Sequence, residues 1–480
     1  MATMPDRPNI VLVMADQLVP FLTGAYGNPH VMTPALDRLA AEGVRFDAAY
    51  TPYPLCSPAR AALVTGRYAS SLGCYDNASI LPADEPTVAH YLTRAGYDTV
   101  LTGKMHFVGP DQPHGFRRRL TTDVFPATMD WVPTMDEEGR FVRGGHARSY
   151  VPPAVGVRPW TKFLSYDEET HFRALEYVRE RGRLRPEEPC FLVVSYHHPH
   201  DPFHPTQELW DLYEGVEIEL PEARPFARSA MDEWANEAHE TDSVDLADPQ
   251  SLAALRRAYC ALVTYVDRKV GELLAALEET GQAENTVVLF TSDHGDMLGE
   301  RAMVQKRCFY EWSVRVPLLL RFPDGRAAGE RVPHPVSLLD VAPTLLDLAG
   351  VGERLPLDGR SLLDSDPARA VFAEYHVEKV RAPCFMARRG RWKLIHVHGH
   401  ASQLFDLEAD PNEWEDLAGR GVPEEDELRA LVLERFDPDE IAADGADSVR
   451  RRELIREAMA LNGTRWDHAP VFDATTQYVR

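Results

Sequence analysis

The residues whose types and spacing best suit chemistry are Cys56 and Arg60, in the run CSPAR. The run AALVTGR follows and is expected to be helical, so the thiol lies at the start of a helix. A thiol and an arginine in this position are typical of a nucleophile that handles anions. An isolated motif of this kind could equally be a buried cysteine before a helix. Four other segments carry metal or anion ligands, namely MADQ at 14–17, GKMH at 103–106, HHPHDP at 197–202 and TSDHGD at 291–296.

Composition and charge exclude several classes of protein. With 480 residues, 44% of them hydrophobic and 26% charged, the chain is typical of a globular protein of two or three structural units. No signal-peptide pattern and no apolar run of about 20 residues is found, so we expect a cytoplasmic protein without a membrane partner. Six cysteines without CxxC spacing favour a reducing compartment. The net charge of -24 disfavours binding to nucleic acid.

The elements that must position these residues alternate between strands and helices. Strands are predicted at 9–14, 97–102, 191–197, 286–291 and 316–321, and helices at 34–42, 87–95, 167–179, 252–279 and 338–349. This alternation predicts an α/β fold with a large mixed, mainly parallel sheet flanked by helices. Short runs separated by turn residues predict a smaller C-terminal α+β domain with an antiparallel sheet. We therefore divide the chain into domains 1–370 and 371–480.

Chemistry-bearing side chains follow the ends of four predicted strands. Asp16, Lys104, His200 and Asp293 each come just after such a strand. Parallel sheets of this kind bind ligands outside the carboxyl ends of their strands, so these residues are expected at one edge. Residues 105–165 and 199–250 are rich in Pro, Gly and polar residues and are predicted to be long loops over that edge.

The segment around Cys56 resembles the maturation signature of formylglycine-dependent sulfatases of the alkaline phosphatase superfamily. In that family a separate maturation enzyme oxidises the cysteine to formylglycine, whose hydrate carries two hydroxyl groups. One hydroxyl attacks sulfur, and the other expels sulfate as the aldehyde reforms. The resemblance therefore implies the fold of that superfamily and hydrolysis of a small-molecule sulfate monoester.

A divalent metal is also implied by this resemblance. Its ligands would be Asp16, residue 56, Asp293 and His294. Carboxylate oxygens favour Ca²⁺, while Mg²⁺ and Mn²⁺ are alternatives. Many sulfatases carry a second aspartate where this chain has Gln17, which makes the metal site less anionic.

The resemblance assigns roles to the remaining catalytic candidates. Arg60, Lys104 and Lys306 would supply positive charge to the ester oxygens. His106 would take the proton of the second hydroxyl. His200, together with Lys306, would bind sulfate and protonate the leaving oxygen.

Within the family, the chain is most similar to choline sulfatases. The segments PLCSPARAALVTG, GKMHFVGPDQPHGF and SDHGDMLGER carry this resemblance, which implies hydrolysis of choline O-sulfate. Trp131 would offer an aromatic face to the cation, His146 would border the pocket and Glu378 would supply negative charge. Trp131 could instead serve packing. Glu378 or Glu374 could instead pair with Lys379 on an exposed face.

Two segments depart from the choline sulfatase pattern. The loop 144–163 adds positive charge near the expected pocket through Arg148, Arg158 and Lys162. The tail RWDHAPVFDATTQYVR resembles an arm that reaches a neighbouring subunit, but the chain stops at Arg480, before an acidic residue expected there. The arm predicts a homodimer or homotetramer.

Two other functions stay open from the sequence. An arylsulfatase, or a phosphonate monoester or phosphodiester hydrolase of the same superfamily, could use the same formylglycine and metal. A catalytically silent homologue that binds sulfate esters would result if Cys56 were left unmodified.

Overall fold

Nine strands form one large sheet in the computed structural model, which describes residues 7–134, 146–364 and 366–471. These strands are β1 Asn9–Asp16, β2 Val44–Tyr50, β3 Asp98–Gly103, β4 Arg118–Arg119, β5 Cys190–Pro199, β6 Thr286–Ser292, β7 Arg315–Val316, β8 Leu318–Arg321 and β9 Glu330–Ser337. Their order is β4-β3-β5-β1-β6-β8-β2, and β7 and β9 also pair with β2. The pairs from β4 to β6 are parallel, whereas β8 is antiparallel to both β6 and β2.

Helices cover both faces of this sheet. The α-helices of the described residues are α1 Pro34–Glu42, α2 Cys56–Thr65, α3 Val88–Arg94, α4 Lys162–Leu184, α5 Gln207–Asp211, α6 Ala230–His239, α7 Pro249–Glu279, α8 Glu311–Val314, α9 Val341–Leu348, α10 Pro423–Arg435 and α11 Pro438–Asn462. Every residue of β1 is buried, as a central parallel strand requires. Ile10 and Leu12 pack into the core layer that contains Leu63 of α2, while Val11 and Val13 pack into the layer that contains Leu262 of α7.

A second, smaller sheet follows the first. It is antiparallel, in the order β10 Val371–Tyr375, β11 Cys384–Arg389, β12 Trp392–Val397 and β13 Gln403–Asp406. The predicted fold class is thereby confirmed, while the domain boundary at residue 370 stays a prediction. Within the described part of the chain, no helix is both long and apolar enough to span a membrane.

The sequence patterns miss several elements. Strand β2 carries Arg45 and Asp47, and β9 carries two prolines, so neither has the apolar run of a buried strand. Both lie toward one side of the sheet, where alternate residues are partly exposed. The segment 199–250, predicted as loop, contains α5 and α6.

Candidate active site

The candidate site lies where four neighbouring parallel strands end. Asp16 is the last residue of β1, and Lys104, His200 and Asp293 directly follow β3, β5 and β6. Because β3, β5, β1 and β6 are adjacent and parallel, these side chains meet at one edge of the sheet. Cys56, the first residue of α2, faces the same edge.

Cys56 is buried among cationic groups. Its Sγ lies 3.1 Å from His294 Nε2, 3.8 Å from Lys104 Nζ and 3.9 Å from Asp16 Oδ1. Burial raises the pKa of the thiol, but Lys104, Lys306 and His294 outweigh burial and hold the pKa well below its ordinary value.

Four donor groups could hold a metal beside Cys56. Ligand atoms of Asp16, Cys56, Asp293 and His294 all lie within 4.8 Å of one another, and all four residues are buried. His294 Nδ1 is 2.9 Å from the Gly295 carbonyl oxygen, so Nδ1 carries the proton and Nε2 is free to bind a cation. Two carboxylates with one imidazole fit a divalent cation of the Ca²⁺, Mg²⁺ or Mn²⁺ type.

Arg60 fixes the carboxylates of both candidate metal ligands, Asp16 and Asp293. Its Nη2 donates to Asp16 Oδ2 at 2.8 Å, and its Nε donates to Asp293 Oδ2 at 2.8 Å. Nη1 donates to Ser195 Oγ at 2.8 Å and to the carbonyl oxygen of Lys104. Lys104 Nζ adds a second cation 2.6 Å from Asp16 Oδ2. These bonds engage one oxygen of each carboxylate and leave Asp16 Oδ1 toward Cys56.

His106 is held by its backbone while its ring is left available. The amides of Met105 and His106 donate to Asp123 Oδ2 at 3.0 and 2.6 Å, and His106 has a φ of 56°. Neither ring nitrogen of His106 has a hydrogen-bond partner among the described residues. The ring centroid lies 5.2 Å from that of Phe125 and 5.3 Å from that of Trp131. Asp123, which sequence reasoning missed, therefore positions a predicted proton acceptor.

Gln17 links the metal ligands to the predicted proton donors. Its backbone amide donates to Asp293 Oδ1 at 3.1 Å, and its side-chain oxygen accepts from Lys306 Nζ. Lys306 Nζ is also 3.0 Å from His200 Nε2. Gln17 Nε2 donates to the hydroxyl of Tyr150 at 3.1 Å. An aspartate at residue 17 would have added a charge here, whereas the amide can both accept and donate.

A cavity of about 360 Å³ joins this site to the predicted leaving-group pocket. Its lining includes Cys56, His106, His200 and Lys306, together with all three predicted substrate-binding residues, which are Trp131, His146 and Glu378. The structure thus brings four of the six catalytic candidates and all three substrate-binding candidates to one cavity, whereas Arg60 and Lys104 lie behind it, against Asp16.

The carboxylate of Glu378 is already engaged. Its Oε1 accepts from Arg307 Nε at 3.0 Å and Arg307 Nη2 at 2.6 Å, and its Oε2 accepts from the Asn77 amide at 3.3 Å. Glu374 pairs elsewhere, 2.9 Å from His376 Nε2. The expectation that Lys379 pairs with one of these carboxylates on an exposed face is wrong, because Lys379 is 4% exposed and its Nζ has no hydrogen-bond partner in the described residues.

The predicted source of extra positive charge near the pocket is also wrong. The loop residues Arg148, Arg158 and Lys162 are exposed and do not line the cavity. The additional cations of the lining are Arg307 and Lys379. Arg307 directly follows the catalytic candidate Lys306 in the sequence, and this position is what could have indicated that it lies near the site. Residues 472–480, the end of the predicted intersubunit arm, lie outside the described residues.

Two family models match this chain. The sulfatase family model matches residues 8–351, and a second family, described as N-sulphoglucosamine sulphohydrolase, C-terminal, matches residues 299–437. The chain belongs to the sulfatase family.

Individual relatives agree with this assignment. A choline-sulfatase of Rhizobium meliloti (strain 1021) is 39% identical, over 99% of this chain and 96% of that protein. An arylsulfatase of Clostridium perfringens (strain 13 / Type A) is 29% identical, over 90% of this chain and 95% of that protein. The crystal structure of a phosphonate monoester hydrolase of Agrobacterium radiobacter superposes with a TM-score of 0.66 at 26% identity, over 93% of this sulfatase and 96% of that chain.

Proposed function

We propose that this sulfatase hydrolyses a sulfate monoester through a formylglycine made from Cys56 and a divalent metal held beside it. The observation that carries the proposal is the buried group of Asp16, Cys56, Asp293 and His294, whose ligand atoms lie within 4.8 Å of one another. Conversion of a thiol carbon to an aldehyde is an oxidation, so a separate maturation enzyme must supply the oxidant.

The surrounding residues can perform the proton transfers of the cycle. One hydroxyl of the formylglycine hydrate attacks sulfur, the bond from sulfur to the leaving oxygen breaks, and His200 with Lys306 protonates that oxygen. His106 then takes the proton of the second hydroxyl as the carbon–oxygen bond to sulfate breaks and the aldehyde reforms. Water restores the hydrate, so one ester and one water give alcohol, sulfate and a proton. When bound, the metal would supply Lewis acidity at a sulfuryl oxygen.

Mass spectrometry of the peptide that contains residue 56 tests the proposal directly. We expect the formylglycine mass in active protein purified from its native host, together with turnover of sulfate esters. An unmodified thiol in such protein, without turnover, would instead support the silent sulfate-ester-binding homologue.

Choline O-sulfate is the candidate substrate that similarity to relatives supports. It is supported by the 39% identical choline-sulfatase and by the positions of Trp131 and His146 on the cavity. Its weakness is Glu378, whose carboxylate would have to leave Arg307 to balance the choline cation. Aryl sulfates and phosphonate monoesters are the alternative, supported by the arylsulfatase relative and the phosphonate monoester hydrolase structure. Side-by-side kcat/KM values for the three ester types decide between these candidates.

A further inference from the structure

The leaving-group end of the cavity is the part lined by Trp131, His146, Arg307, Glu378 and Lys379. Its positively charged side chains outnumber the carboxylates that could pair with them. Arg307 and Lys379 both line this end, and two donors of Arg307 go to one oxygen of Glu378. Asp201, the other carboxylate of the lining, accepts from Gln305 Nε2 at 2.8 Å and lies 3.1 Å from His200 Nδ1. Neither lysine of the lining, Lys306 or Lys379, has a counter-ion in direct contact within the described residues; Lys306 Nζ contacts Gln17 and His200 instead.

Lys379 differs from Lys306 because its Nζ has no hydrogen-bond partner in the described part of the chain. Lys379 is 4% exposed. It has a φ of 58°, a left-handed conformation that costs free energy for a lysine. Burial and the charge of Arg307 lower the pKa of Lys379 well below its ordinary value, although Glu378 opposes them. A buried ammonium group in this setting needs an anion to be stably charged.

Neighbouring imidazoles experience the same positive potential. Burial, with Lys379 and Arg307, lowers the pKa of His146 to about 3. The ring of His239 lies 5.3 Å from that of His146, and burial, Lys379 and Arg307 lower its pKa as well. Both imidazoles are therefore neutral at pH 7, and His146, which lines the cavity, could donate a hydrogen bond to an anion.

We propose that Lys379 and Arg307 form an anion subsite that binds a carboxylate or second sulfate on the leaving group of the ester. The proposal rests on the proposed sulfate ester hydrolysis and deepens it by naming the substrate class. Among the described residues, both carboxylates of the lining are engaged, Glu378 with Arg307 and Asp201 with Gln305, so the subsite favours an anionic over a cationic leaving group.

Three esters on the same two-carbon tether test the subsite. The first is the sulfate ester of β-hydroxypropanoate, whose leaving group ends in a carboxylate. The second is dimethylbutyl sulfate, whose leaving group is uncharged, and the third is choline O-sulfate. We expect kcat/KM to fall in that order, by about tenfold or more at each step, because a charge-assisted contact in a buried site contributes roughly 1.5–3 kcal/mol. A higher kcat/KM for choline O-sulfate than for the carboxylate ester would overturn the subsite.

Lys379→Met supplies the matched variant, because methionine keeps much of the side-chain length and removes the charge. We expect kcat/KM for the carboxylate ester to fall by about 10- to 100-fold and that for dimethylbutyl sulfate to change by less than about threefold. Loss of both activities together would overturn the subsite if the thermal unfolding midpoint is unchanged. Lys379→Arg keeps the charge and should retain the preference for the carboxylate ester.

Binding measured without turnover separates this proposal from the catalytic one. In the Cys56→Ala variant, calorimetry should give a Kd for the carboxylate ester at least about tenfold below that for dimethylbutyl sulfate. Equal affinities would remove the subsite even if the native enzyme hydrolyses both esters. Failure of matured enzyme to hydrolyse any sulfate ester, with the affinity difference intact, would instead remove the proposed function and leave the subsite standing.

Discussion

The positively charged side chains at the two ends of the cavity differ in whether they have contacting partners. At the sulfate end, around Cys56, Arg60 contacts the carboxylates of Asp16 and Asp293, Lys104 contacts that of Asp16, and Lys306 contacts Gln17 and His200. At the leaving-group end, Arg307 contacts Glu378, and Lys379 has no contacting partner among the described residues.

This difference separates the groups that are fixed in place by their partners from those that are left without one in the described ranges. A sulfate group brings its own charge, so the residues around it must be fixed before it arrives, and every contact at the sulfate end does this. The leaving-group end must fit the alcohol that the reaction releases. Its side chain without a hydrogen-bond partner in the described part of the chain, Lys379, therefore indicates the charge of that alcohol. The following predictions test each end separately.

The largest effect is expected at the sulfate end from Cys56→Ala. The variant cannot be matured, so kcat should fall by about 10⁴-fold or more for every ester, as when an enzyme nucleophile is removed. The thermal unfolding midpoint should change little, because Cys56 is a small side chain at a helix start. Residual rates near those of the native enzyme would refute formylglycine as the nucleophile.

Metal removal should have the next largest effect. Without a cation, the carboxylates of Asp16 and Asp293 face each other with Arg60 between them, and the Lewis acid of the reaction is missing. We expect a chelator to reduce kcat by about 10³-fold and to lower the unfolding free energy by about 2.7 kcal/mol relative to metal at 100 times its Kd. Added Ca²⁺ should restore both quantities, and restoration by Mn²⁺ alone would correct the assigned metal.

A smaller loss is expected from His200→Asn, which removes the predicted proton donor beside Lys306. For an alkyl sulfate, kcat should fall by about 10²- to 10³-fold, the usual contribution of a general acid. An aryl sulfate with a good leaving group needs little protonation and should lose much less. Equal losses for both esters would assign His200 to sulfate binding rather than to proton donation.

The sulfate end was predictable because its residues follow strand ends. Asp16, Lys104 and Asp293 each come directly after an apolar, β-branched run, and parallel pairing of those runs brings their ends together. Strand register is fixed by the same apolar pattern. The local sequence therefore predicts the central parallel strands and the residues of the sulfate end that follow them.

The leaving-group end could not be predicted in the same way. Arg307 and Glu378 are 71 residues apart, and their pairing depends on how the loop before α8 meets the loop after β10. Lys379 resembles a solvated lysine in sequence, because burial of a charged residue between loops has no local pattern. The engagement of Glu378 and the charge of the cavity therefore became visible only in three dimensions.

The smallest effect is expected from Trp131→Ala, and it bears directly on the leaving group. The Trp131 ring packs 4.8 Å from Phe125 and edge-on to His106 at an interplanar angle of 82°, so it supports the cavity wall. We expect KM to rise by about fivefold, and by the same factor for choline O-sulfate and dimethylbutyl sulfate, because packing does not distinguish a cation from its uncharged isostere. A cation–π contact of about 0.5–2 kcal/mol would make the increase roughly 2- to 30-fold larger for choline O-sulfate. Trp131→Phe keeps an aromatic face and should restore KM for both esters, whereas selective loss of choline O-sulfate in Trp131→Ala would re-establish choline as the leaving group.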